Sequence, residues 1–95
     1  MIIVSGWLRV EPDQRQAYLE SHVEVSRVAR TADGCIDFHL VADPLESDRI
    51  NVFEQWESSG AVEAFRGSGP DASQQNAIIS ARVEQHEIAS STSLT

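Results

Sequence analysis

The sequence predicts an α+β domain in the order β-α-β-β-α-β, and three features carry that expectation. Apolar residues alternate with period two in four separate stretches, the pattern of strands whose two faces differ. Between the first and second stretches the apolar spacing lengthens to steps of three and four, as a helix requires. A shorter helical stretch follows the third strand, after two serines suited to an N-cap.

That third strand, residues 50–58, organises the rest. Ile50, Val52, Glu54 and Trp56 point one way, Asn51, Phe53, Gln55 and Glu57 the other. Neither face is purely polar, so both call for cover, and polar groups are expected inside. Ser58 and Ser59 then open a short helix whose apolar stripe is Ala61, Val62 and Phe65.

From the N-terminus, residues 1–10 alternate as a first strand, with Gly6 marking a close backbone approach or a bulge. Glu11-Pro12-Asp13 ends it and starts a helix expected to run unbroken from Gln14 to Thr31. Tyr18, His22, Val25, Ala29 and Ala32 form its apolar stripe with Val28 alongside; Glu20, Glu24, Arg27 and Arg30 form the opposite side. Asp33-Gly34 stops the helix, glycine being suited to a left-handed position after the last turn. The second strand, residues 35–42, places Ile36, Phe38 and Leu40 on one face and Cys35, Asp37, His39 and Val41 on the other. The polar turn 43–48 makes strands two and three a hairpin. After the break at 67–70, a small extra helix is expected from Pro70 to about Ser80, then a last strand from Arg82 to Ala89. Residues 1–89 form one domain and 90–95 a polar tail. The order is the ferredoxin-like arrangement, an antiparallel sheet with helices on one face. Its other face needs cover, which a second copy of the chain would supply.

The composition excludes several classes. Net charge is -8 and all seven basic residues are arginine, a poor basis for binding nucleic acid or an anionic membrane. No apolar run reaches the ~20 residues of a membrane span and no basic leader opens the chain, so a cytoplasmic protein is expected. The single Cys35 cannot form an internal disulfide; it reads as a packing residue in an apolar strand or as a reactive thiol. Metal-ligand spacings, phosphate loops and nucleophile elbows are missing.

Candidate chemistry rests on a few residues. His22, on the helix stripe, is either a core histidine or a pocket group that accepts a proton. His39 and His86 lie on strands as surface or interface residues. Trp56 is a core anchor whose indole N–H needs a partner, with Glu54 two residues away on the same face. A buried Glu54 must itself be paired, with Arg9, Arg66 or Arg82 as partners, and reads as a structural ion pair or a catalytic acid. Asn51 and Gln55 either hold a polar ligand group or make subunit contacts. Arg66 ends the short helix as a solvated charge or as the contact for an anionic substrate.

The Asp33-Gly34-Cys35 turn after the first helix, the Glu54-Gln55-Trp56 strand and the helix opening at Glu57-Ser58 together resemble the antibiotic biosynthesis monooxygenase domain family. The likeness spans residues 2–89 and extends to the small quinol-monooxygenase-like proteins. It implies a homodimeric α+β barrel and oxygenation of a quinol or polycyclic phenol by O2, with no bound cofactor and no metal. On the oxygenase reading the catalytic candidates are His22, Asn51 and Trp56, and Tyr18, Phe38, Glu54, Phe65 and Arg66 are the candidates for the substrate pocket. Trp56 matches the family's tryptophan. Members with Gln-Trp-Glu-Ser here carry asparagine four residues before it, where this chain has Val52, its own Asn51 standing one residue earlier. The histidines that many members carry in the short helix are replaced by Ala64-Phe65-Arg66-Gly67-Ser68-Gly69-Pro70, which argues against haem chemistry. The alternative is a non-catalytic ligand-binding or stress-response dimer of the same fold.

Overall fold

The computed structural model describes residues 1–67 and 77–95. Four strands, β1 (Ile2–Arg9), β2 (Cys35–Ala42), β3 (Arg49–Trp56) and β4 (Ser80–Glu87), form one antiparallel sheet in the order β2-β3-β1-β4. Three helices, α1 (Arg15–Ser21), α2 (Val23–Thr31) and α3 (Ser59–Arg66), join them, with a 3-10 turn at Pro12–Gln14 ahead of α1. Ser80 belongs to β4, not to a helix; the rest of the small helix expected from Pro70 lies largely outside the described residues. No described helix is long and apolar enough to cross a membrane.

The alternation of β3 holds along its whole length: Ile50, Val52, Glu54 and Trp56 are buried and the residues between them only half-buried. On the same face of the sheet, Leu8, Val10, Tyr18, Ile50 and Val52 form one core cluster. Ile2, Val4, Ala29, Phe38, Trp56 and Val62 form a second. Leu40 packs against both and joins them. All three helices contribute to these clusters, so they cover one face, as expected for this fold. The register of the strands places Ile3, Ser5, Trp7, His39, Val41, Asn51, Phe53 and Gln55 on the other.

Two local departures re-aim side chains. The single helix expected over 14–31 breaks at His22. There the backbone N–H bonds to the Leu19 carbonyl, one residue short of the helical partner, Tyr18. The Tyr18 carbonyl so released accepts from the Ser21 hydroxyl at 2.6 Å and lies 3.2 Å from His22 Nδ1. Side chains inserted into the ladder are a recognised cause of helix breaks. Beyond the break Val28, expected alongside the apolar stripe, is 54% exposed. In β2 a bulge between Cys35 and Asp37 shifts the register, so that Cys35 pairs with Trp56 and packs on the core while Ile36 is left exposed. The alternation expected from Ile36 onward therefore fails at its first residue.

Two glycines meet their expectations. Gly34 has φ +83 and its carbonyl accepts from Glu57 N–H at 2.8 Å, closing α2 against the start of α3. At Gly6 an added Cβ would fall 1.9 Å from the Arg82 carbonyl oxygen of β4, the close approach the sequence marks there.

Candidate functional site

The structure sorts the candidate residues into three groups. The first is built on the end of β3 and on α3. Glu54 is 3% exposed, and its two carboxylate oxygens have different partners. Oε1 accepts from the Trp56 indole Nε1 at 3.0 Å; Oε2 accepts from Arg66 Nη2 at 2.8 Å. Alternation brings Glu54 and Trp56 to one face, and the Ser58 cap, which accepts from Ala61 N–H, starts α3 so that Arg66 arrives one turn past Val62. Burial pushes the Glu54 carboxyl above its usual range, opposed by the Arg66 charge and the indole hydrogen bond. Phe65 packs on the Trp56 ring at 5.3 Å and edge-on to Phe38 at 5.6 Å. Trp56 has no exposed surface at all. Of the three arginines offered as partners for Glu54, Arg66 takes the role; Arg9 pairs with Glu46 and Asp48, and Arg82 with Glu84.

The second group is Tyr18 and His22, whose rings stack at 4.4 Å. Tyr18 is buried in the second cluster, and its burial raises the phenol pKa. His22 is 7% exposed. Its Nδ1 lies 3.2 Å from the Tyr18 carbonyl oxygen and 3.3 Å from the Ser21 hydroxyl, and a proton on Nδ1 would be donated to that carbonyl. His22 lines an open groove between α2 and the edge strand β2, with Leu19, Val23, Leu40 and Val41 as apolar walls and Arg27 and Arg30 beside them. Arg30 is held there by its Nε, which donates to the Phe38 carbonyl at 2.8 Å. Sequence reading placed Arg30 on the solvent side of the helix and missed its fixed position. The available signal was that it occupies the last turn of a helix only a few residues before an edge strand.

Asn51 stands apart. It lies on the face away from the helices, donates to Asp43 Oδ1 at 2.9 Å and accepts from Arg49 Nε at 2.8 Å. That network also holds Asp43 down to about 2, chiefly through the Asn51 hydrogen bond and the Glu46 and Leu45 backbone N–H groups. One pocket on the helix side cannot contain both Asn51 and His22. Nearby, Arg9 and Arg49 flank the Trp7 ring at 5.2 and 5.8 Å, and His39 stacks on Phe53 at 5.3 Å. Among the described residues no group of three His, Cys, Asp or Glu side chains could hold a metal ion.

Comparison with known proteins agrees with this architecture. A protein of Deinococcus radiodurans described as a candidate antibiotic biosynthesis monooxygenase superposes with a TM-score of 0.86 at 16% identity, over 100% of this chain and 99% of that one. MhuD of Mycobacterium tuberculosis, a heme-degrader solved with two hemes in its active site, gives 0.71 at 15% identity over 98% and 100%. At these identities the likeness is one of fold. An uncharacterized protein of Synechocystis is 26% identical over 62 residues, 65% of this chain, and the match spans 42% of that protein's length. The sequence profile of the antibiotic biosynthesis monooxygenases matches residues 1–75, from β1 through the carboxylate–indole–guanidinium group, and the chain belongs to that family.

Proposed function

We propose that the protein is a cofactor-independent oxygenase of a quinol or polycyclic phenol, with His22 as the proton acceptor. The observation that carries this reading is a buried histidine lining a groove, its Nδ1 3.2 Å from the Tyr18 carbonyl oxygen. His22 takes the phenol proton, and the electron-rich anion passes an electron to O2. The resulting radical pair recombines, placing one oxygen atom on the ring and releasing the other as water. For a hydroquinone the products are a hydroxyquinone and water, which balances the two hydrogens and four oxygens involved. The protein binds, deprotonates and excludes water; the substrate supplies the electrons.

The functional unit in this reading is a homodimer joined through the sheet face that carries Ile3, Trp7 and Phe53, since the described helices all lie on the opposite side. Sedimentation as a folded monomer at micromolar concentration would remove that part. The oxygenase itself is tested by oxygen uptake with a panel of quinols and anthrone-like phenols. Loss of a general base lowers rate by about 100- to 10,000-fold, so His22→Gln should reduce turnover per folded protein by at least the smaller factor. Near-normal turnover in that variant eliminates His22 as the base. A second reading, ligand binding without catalysis, is favoured by one observation: both oxygens of Glu54 and the indole N–H of Trp56 are spent on internal partners, and these two residues are buried away from a substrate. Ligand binding with no oxygen uptake across the panel would establish it.

A further inference from the structure

The groove beside His22 has a charge opposite to that of the chain. The whole sequence carries 15 acidic residues against seven arginines, yet the groove lining includes two of those arginines, two of the three histidines and no carboxylate. Acids on the two flanking elements are already engaged: Glu24 of α2 pairs with Arg27, and Asp37 of β2 lies 3.4 Å from His39. Arg30 differs from Arg27. Its Nε donates to the Phe38 carbonyl, which orients the guanidinium, and its Nη1 and Nη2 donate no hydrogen bond to a described residue. No described carboxylate forms an ion pair with it. A guanidinium oriented in advance, with both terminal nitrogens available, matches the two oxygens of a carboxylate and loses little entropy on binding. Beside it, Leu19, Leu40, Val23 and Val41 offer apolar surface, the last two about half exposed.

We propose that this groove between α2 and β2 binds a small molecule with a flat apolar body and a carboxylate, the carboxylate held by Arg30 and the body lying on Val23, Leu40 and Val41 toward His22. Complementary charge selects this occupant over a neutral one, and the fixed fork of Arg30 selects a planar oxyanion over a diffuse negative charge. The inference deepens the oxygenase reading, on which it rests for the role of His22: the phenolic substrate would carry an acid group. It makes Arg30 a determinant of specificity rather than a reacting group.

The probes are 2-naphthoate and the neutral 2-naphthylmethanol, of nearly equal size, titrated into the full-length protein by calorimetry and by amide chemical shift. Naphthoate should bind at least ~10-fold tighter, as a charge-assisted bidentate contact implies. Arg30→Gln should remove that advantage and leave affinity for the alcohol within about twofold, whereas Arg27→Gln, whose charge is already neutralised by Glu24, should lose roughly twofold for naphthoate. Because Arg30 also ties α2 to β2, the wild-type shift map is a second measure independent of any variant: naphthoate should move the amides of Val23, Ser26, Leu40 and Val41. Equal affinity for the two probes, or shifts centred on Trp7 across the sheet, overturns the proposal. Naphthoate bound at Arg30 without oxygen uptake by any quinol would remove the oxygenase reading and keep this one. Quinol turnover with equal probe affinities would do the reverse.

Discussion

Glu54 and His22 are both polar, both buried on the helix-covered face of one sheet, and held in opposite ways. Glu54 gives its two oxygens to partners from its own strand and from α3, and Phe65 closes the region. His22 is held through one nitrogen to the carbonyl of its own broken helix, and its side borders a groove. A buried charge spent entirely on internal partners joins structural elements; a buried ring that borders an opening is where a proton can be exchanged. The difference teaches that burial of a polar residue is no sign of a site until its remaining valences are followed.

Substitutions that tell the two regions apart can be ranked. Trp56→Ala removes the largest fully buried side chain and the indole that Glu54 needs, and should cost about 3–5 kcal/mol in chemical denaturation. His22→Gln should cost no more than about 1 kcal/mol while lowering turnover at least ~100-fold, because the amide can replace the ring contact with the Tyr18 carbonyl. Equal stability losses in the two variants would erase the distinction.

A smaller effect sharpens it through pH. Arg66→Gln strands the Glu54 carboxylate; with half of the Arg66 side chain in solvent the expected cost is roughly 1–3 kcal/mol at neutral pH. Glu54 has a raised folded pKa, so its contribution to stability is complete below the ordinary value of 4.5 and falls as pH rises through the folded value. Removing Arg66 deepens that fall, and the deficit of Arg66→Gln should shrink on acidification as the carboxyl becomes neutral. Asp43 runs the other way: held near 2, it stabilises above 3.8 and loses that contribution as pH falls toward 2. Thermal midpoints of wild type and Arg66→Gln measured across the acid range check the sign, and a deficit that grows with acidity would refute the account.

Much of the fold was legible because β3 obeys one period without exception, so Glu54 and Trp56 could be placed together and Arg66 named among the partners. The break at His22 was invisible for a physical reason. Tyr18, His22 and Val25 keep their spacing across it, and periodicity reports which side a residue faces, not which carbonyl its N–H meets. The bulge at Ile36 inserts one residue into a short run, too little to disturb a pattern of eight. Asn51 was grouped with Trp56 although alternation sets them on opposite faces; family likeness outweighed geometry there, and the structure sides with geometry. Arg30 was hidden because its partner is a backbone carbonyl, which leaves no trace in residue types.

The close approach at Gly6 has a consequence for assembly of the sheet. Every residue of β4 is exposed in the single chain, so burial cannot tell this strand how to align with β1. The Arg82 carbonyl, however, occupies the space where a side chain at residue 6 would begin, and no other residue of β1 lacks a Cβ. Only one alignment of the two strands offers that vacancy. A missing methyl group thus acts as a keyhole, rejecting misaligned pairings that a weakly patterned sequence would otherwise allow.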